Sequence, residues 1–199
     1  MTKEQLRLKL QKVLLEMSDE ERSEKSKKAC RNLISTPQFQ DASQKVIMMF
    51  LSMPNEVDTS QAILHAWQLG KIVAVPKVFW KQKHMIAVGI NSLESGFSTT
   101  PAGLRNPTTG EPIPFEEIDL VVTPALGLDR GGNRLGRGGS YYDRFFSNEK
   151  FRASKCGFAF TEQLVDSIPV TDRDVAVDFV VTDSEIIYCN QNVEQKAKG

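Results

Sequence analysis

Apolar residues recur at helical spacing at the start of the chain, then give way to short continuous apolar runs set between breakers. Leu6, Leu10, Val13, Leu14 and Met17 follow Thr2 and Gln5, a threonine with a glutamine three residues on. That pattern predicts a capped amphipathic helix. Ser18 with Glu21 repeats it and opens a more polar helix towards Ile34, stopped by Pro37. Lys45-Val-Ile-Met-Met-Phe-Leu-Ser52 reads as a buried strand. A helix capped at Asp58 or Thr59 runs through Trp67 to Gly70, and Ile72-Val-Ala-Val75 is a second buried strand closed by Pro76. Strand, helix and strand thus fall within the length of one βαβ unit.

Further along, His84 to Ile90 fits a strand, and Asn91 to Pro114, rich in Gly, Pro, Ser and Thr, reads as one long loop. Ile118 to Thr123 is a strand. Cys156 to Phe160 and Val177 to Val181 are two more, separated by a helix near Glu162 to Ser167, and Ile186 to Cys189 is an edge strand. Alternation of this kind predicts an α/β fold, a three-layer sandwich around a mostly parallel sheet. Residues 1–190 are expected to form one domain, with 191–199 a polar C-terminal tail.

Composition changes this picture little. The chain has 199 residues, 40% hydrophobic and 25% charged, and Lys+Arg and Asp+Glu number 25 each. A zero net charge argues against a general nucleic-acid binder. The charge is uneven, since Arg173 is the only basic residue among seven acidic ones between Thr161 and Glu185. Cys30, Cys156 and Cys189 are far apart and form no CxxC pair, so neither a zinc site nor a disulfide framework is expected. The charged N-terminus carries no apolar signal core, and no apolar run is long enough for a membrane span. The expectation is a soluble cytoplasmic protein with no membrane, nucleic-acid or obligate protein partner.

The chemistry concentrates in one stretch, GGNRLGRGGSYYDRFF, from Gly131 to Phe146. It follows a strand and opens a helix at Ser140, the place where α/β folds gather ligands. Glycines let backbone N–H groups converge, the helix start adds partial positive charge, and Arg134 and Arg137 add full charges that fork onto phosphate oxygens. The plainer alternative is a flexible turn with solvated arginines. Neither the P-loop nor the dinucleotide glycine pattern fits, so the physical reading stops at a polyanion, most simply a nucleotide phosphate.

RLGRGGSYYDR, with ALGLD upstream, closely resembles the signature of the 5-formyltetrahydrofolate cyclo-ligase family. KEQLR near the N-terminus, FLSMPNEVDT from Phe50 and VAVDFVVT near the C-terminus resemble further family elements in the family's order. The resemblance implies a fold like that of sugar-phosphate isomerases and CoA transferases. It implies a ligase that closes 5-formyltetrahydrofolate to 5,10-methenyltetrahydrofolate with ATP and Mg²⁺, through a phosphorylated formyl group. The expected partners are therefore small molecules, a reduced folate and ATP.

By the same resemblance ATP is held by Lys3, Arg7, Arg134, Leu135, Gly136, Arg137, Gly138, Gly139, Ser140, Tyr141 and Tyr142. The folate meets Leu51, Glu56, Arg137, Gly138, Gly139, Ser140 and Tyr141, and Asp143 and Asp178 hold Mg²⁺. Arg137 and Tyr142 are the expected catalytic residues. Asp178 lies inside an apolar run, where a carboxylate needs a partner, and this favours its metal role. Two positions depart from the family pattern. Ser140 stands where a glycine is common, and 99–107 lacks the tryptophan often found there, which bears on folate contacts from that loop. An isomerase would need a distinctively spaced carboxylate base, which is missing. An inactive nucleotide- or folate-binding regulator is argued against by Arg137, Tyr142, Asp143 and Asp178 occurring together.

Overall fold

A computed structural model describes residues 1–189, in which helices flank both faces of an eight-stranded sheet. The N-terminal half contains helices α1 (Lys3–Glu16), α2 (Asp19–Ile34) and α3 (Pro37–Gln40), strand β1 (Val46–Met49), helix α4 (Ser60–Gln68), and strands β2 (Ile72–Phe79), β3 (His84–Ile90), β4 (Phe97–Thr99), β5 (Arg105–Pro107) and β6 (Pro112–Ile113). The remainder contains β7 (Leu120–Pro124), β8 (Gly127–Asp129), β9 (Arg134–Leu135), α5 (Tyr141–Phe146), β10 (Ser154–Phe158), β11 (Leu164–Val165), β12 (Phe179–Val181) and β13 (Ile186–Tyr188). The predicted tail at 191–199 lies outside the described residues.

The sheet order is β13-β12-β10-β7-β1-β2-β3-β6. The pairings from β12 through β2 are parallel, and β13, β3 and β6 pair antiparallel at the two ends. The mostly parallel α/β sandwich read from the sequence is therefore present. Central parallel strands are covered on both faces, which is why β1 and β7 read as unbroken apolar runs. Ile47, Met49, Val73, Leu120 and Val122 face α2 and α4. Val46, Met48, Ala74 and Val121 face Phe145 and Phe146 of α5.

Both helix starts are capped as their sequences require. Thr2 Oγ1 accepts from Gln5 N at 3.2 Å while Gln5 Oε1 accepts from Thr2 N at 2.9 Å, and Ser18 Oγ accepts from Glu21 N at 3.1 Å. Leu6 and Leu10 of α1 pack on Leu135 and Ile168, so this helix lies against the glycine-rich stretch.

Three expectations are corrected. β2 does not stop at Pro76 but continues to Phe79. β1 pairs with β2 only as far as Ala74. Val78 turns its N–H and C=O away from β3, onto the Asn106 side chain, and Pro76, two residues earlier, faces that same open side. No ladder bond is lost there, so proline is tolerated. The long loop contains the small β4–β5 hairpin and β6, which joins the main sheet. The helix expected near Glu162 is one 3₁₀ turn, Thr161–Gln163, followed by β11 pairing with β8. Gln163 is buried, accepting from Phe160 N at 2.8 Å and donating to Ala125 O at 2.6 Å, which ends the turn where it begins.

Candidate active site

A cavity of about 230 Å³ opens where β1, β7 and β2 end. β1 leads to β2 on one side and pairs with β7 on the other, so the crevice lies beside the strand at which the order of the sheet reverses. Phe50 and Leu51 follow β1, Ala125 and Leu126 follow β7, and Pro76 and Val78 come from β2. α1 contributes Lys3 and Arg7, and Arg134 to Asp143 supply a continuous wall.

The glycine-rich stretch is more structured than a loop. β8 and β9 form a hairpin, and Arg134 is anchored at its end. Its guanidinium is buried, donates to Asp143 Oδ1 at 2.8 Å and lies over the Tyr142 ring at 5.4 Å. Gly138 has φ 104°, a backbone open to glycine at little cost. Ser140 follows with φ 49° and ψ 31°, left-handed for a residue with a Cβ, and its hydroxyl caps nothing. α5 is only six residues long, so the positive charge at the cavity comes chiefly from side chains.

Each cation is held in place. Arg7 Nε donates to the Gly136 carbonyl at 2.9 Å, fixing α1 to the wall. Lys3 Nζ meets Asp174 Oδ2 at 2.6 Å. Arg137, 43% exposed, reaches Glu56 Oε1 at 3.1 Å from Nη2. Glu56 is itself positioned by Met53 N, which donates to its Oε2 at 3.0 Å. Five cationic side chains, including Arg105, and three anionic ones line the cavity.

Tyr142 presents a buried hydroxyl that has no hydrogen-bond partner among the described residues. Burial, partly offset by Arg134, pushes its phenol well above the usual range, so it stays protonated and can donate. Tyr141 is packed edge-on by Trp80, with ring centroids 5.9 Å apart, and carries the Arg144 guanidinium at 5.2 Å.

Every residue expected to meet ATP or folate lines this cavity: Lys3, Arg7, Leu51, Glu56 and the run from Arg134 to Tyr142. The two expected metal ligands are separated. Asp143 lines the cavity, with Oδ1 engaged by Arg134 Nη2 and Val175 N and Oδ2 making no hydrogen bond within the described residues. Asp178 does not line it. Its Oδ2 accepts from Lys155 N at 2.7 Å and sits 3.0 Å from Lys155 Nζ, so the partner an apolar setting demands is found on β10.

Another carboxylate of the same acidic run is Asp174. It lines the cavity and lies next to Val175, whose N–H donates to Asp143 at 3.3 Å. Burial alone raises the Asp174 pKa, but hydrogen bonds from Lys3 and Thr171 outweigh it and hold the carboxyl below its usual range. No group of three or more His, Cys, Asp and Glu among the described residues is arranged to hold a metal. Mg²⁺ needs less, one or two carboxylates completed by phosphate and water. Asp143 and Asp174 fit that requirement. Within the acidic run the resemblance marked Asp178 and not Asp174, the member that lines the cavity, and Trp80 and Arg105 carried no motif.

No helix among the described residues is long and apolar enough to cross a membrane. The sequence profile of the 5-formyltetrahydrofolate cyclo-ligase family matches residues 1–183. The mouse 5-formyltetrahydrofolate cyclo-ligase is 33% identical over 186 residues, 88% of this chain and 91% of its own. The Escherichia coli K12 protein of the same name is 27% identical, covering 85% and 94%. Among solved structures, 5,10-methenyltetrahydrofolate synthetase from Aquifex aeolicus superposes with a TM-score of 0.81 at 27% identity, over 96% of this chain and 95% of that one. The Mycoplasma pneumoniae synthetase, at 22% identity and TM-score 0.75, covers 92% and 100% and shares the fold.

Proposed function

This chain belongs to the 5-formyltetrahydrofolate cyclo-ligase family, a family of ligases, and from that membership we propose that it converts 5-formyltetrahydrofolate to 5,10-methenyltetrahydrofolate at the expense of ATP. The observation that carries the reading is the charge of the cavity. Four cationic side chains, Lys3, Arg7, Arg134 and Arg137, are grouped on α1 and the glycine-rich wall against three anionic ones in the lining, an arrangement that complements the negative charge of a nucleotide triphosphate.

The chemistry requires little beyond positioning and charge. A formamide oxygen is a poor leaving group. It attacks the γ-phosphorus, ADP departs, and the oxygen becomes part of a phosphate ester on an iminium carbon. N10 then attacks that carbon, its proton is lost, and phosphate leaves with the former formyl oxygen. Arg134, Lys3, Arg7 and the backbone from Leu135 to Ser140 hold the phosphates. Arg137 neutralises charge on the transferring phosphoryl group, and Tyr142 donates from a position shielded from water. Leu51 gives the pterin an apolar surface, Glu56 accepts from its N–H donors, and Tyr141 forms a wall. Asp143 and Asp174 would hold Mg²⁺, which would supply further neutralisation of the phosphates; Asp178 serves the β10–β12 pairing.

A cavity of about 230 Å³ is too small for both substrates, since ligand sites usually span about 300–1,000 Å³. The Arg137–Glu56 bridge joins two residues that both have ligands to bind, so it parts as they arrive. The test is the ultraviolet absorbance of purified protein with 5-formyltetrahydrofolate. The methenyl chromophore should grow only when Mg-ATP is present. ATP binding without the chromophore would favour the regulator instead.

A further inference from the structure

We propose that Arg105 is a specificity-determining residue that grips the carboxylate end of the folate, its glutamyl tail. This inference rests on the folate reading above. Of the five cationic side chains lining the cavity, Lys3, Arg134 and Arg137 each face a carboxylate, and Arg7 is fixed to the Gly136 carbonyl. Arg105 faces no carboxylate among the described residues. Its Nη1 donates to Leu93 O at 2.9 Å, and its guanidinium lies 5.5 Å over the Phe97 ring. Those contacts fix one nitrogen and one face of the fork. Nε and Nη2 remain to bind an anion in the paired geometry that suits a carboxylate.

The position of Arg105 is set by its neighbour. The Asn106 side chain takes the place of a strand partner, accepting from Val78 N at 2.8 Å and donating to Val78 O at 3.0 Å. Arg105 is thereby held beside Val78 near the end of β2, two residues before Trp80. Trp80 lines the same cavity and is 48% exposed, with its edge contact to Tyr141 its one aromatic partner among the described residues. An exposed indole face and an uncompensated guanidinium are thus carried on the β2–β5 wall, while Lys3 and Arg7 come from α1. A reduced folate offers the matching pair, a flat benzoyl ring followed by a glutamate with two carboxylates. The nucleotide's phosphates have their cations elsewhere.

The experiment compares 5-formyltetrahydrofolate with its des-glutamyl analogue, 5-formyltetrahydropteroate, in the wild type, Arg105→Gln and Arg105→Lys. Arg105→Gln should raise KM for the glutamylated substrate about tenfold, the worth of one charge-assisted contact. It should leave kcat and KM for ATP within about twofold and leave the analogue's kinetics unchanged. Arg105→Lys should recover part of the loss. An unchanged KM, an equal rise for both substrates or a rise confined to ATP would each overturn the assignment; the second would mean that Arg105 only supports its loop. Absence of wild-type turnover would count against the cyclo-ligase reading separately. Calorimetry with 4-aminobenzoylglutamate and 4-aminobenzamide would then decide, because binding of the former must depend on Arg105 and binding of the latter must not.

Discussion

Ser140 shows how one residue can strain the machinery it belongs to. Its φ of 49° places a Cβ-bearing residue in the left-handed region without a hydrogen bond from its hydroxyl in return. That conformation costs about 1–2 kcal/mol for an L-residue, part of which a glycine gives back through its greater freedom when unfolded. Ser140→Gly should therefore stabilise the protein by about 1 kcal/mol, seen as a melting temperature roughly 2–4 °C higher. An unchanged or lower melting temperature would show that the turn is not strained.

Two aspartates of the C-terminal acidic run, Asp174 and Asp178, also differ by their local surroundings. Asp174→Asn should raise the Mg²⁺ concentration needed for half-maximal turnover by about tenfold or more, given one lost charged ligand. Asp178→Asn should leave that titration unchanged, because its carboxylate serves Lys155. The reverse pattern would restore Asp178 as the ligand. The sequence singles out Asp178, by resemblance and for its apolar setting, and not Asp174, because the path of the chain that brings Asp174 to the cavity is not written locally.

At the scale of elements, what was legible followed local rules. The caps of α1 and α2 were written in Thr2, Gln5, Ser18 and Glu21, and the apolar runs of β1 and β7 announced buried parallel strands. What was missed depended on remote partners. Pro76 stays inside β2 because β1 has already ended, and the segment from Asn91 yields strands because Asn106 docks on Val78. The β4–β5 segment lacks the family's tryptophan, yet Leu104 and Arg105 line the cavity. α1 illustrates how packing serves the site. Leu10 is buried against Leu135 and Ile168, and the same helix delivers Lys3 and Arg7 to the cavity. Leu10→Ala should cost about 2–5 kcal/mol in urea denaturation. It should also raise KM for ATP, as the helix carrying the two cations loosens. Lost stability with an unchanged KM would mean that α1 does not position them.

For the molecule as a whole, a formally neutral chain concentrates positive charge in one crevice at the strand ends. Candidate ATP and folate residues were legible because they cluster in one signature beside a strand, and the fold brings Lys3, Arg7, Leu51 and Glu56 to it from distant segments. The charge balance itself was not legible, because it arises from pairs such as Arg137 with Glu56, far apart in the chain. The central claim is that this crevice drives ring closure by moving the formyl oxygen onto phosphorus. The most direct measurement uses 5-formyltetrahydrofolate labelled with heavy oxygen in the formyl group, followed by mass analysis of the inorganic phosphate released. One labelled oxygen in each phosphate, appearing in step with the methenyl chromophore, is the predicted result. Unlabelled phosphate alongside a growing chromophore would contradict it.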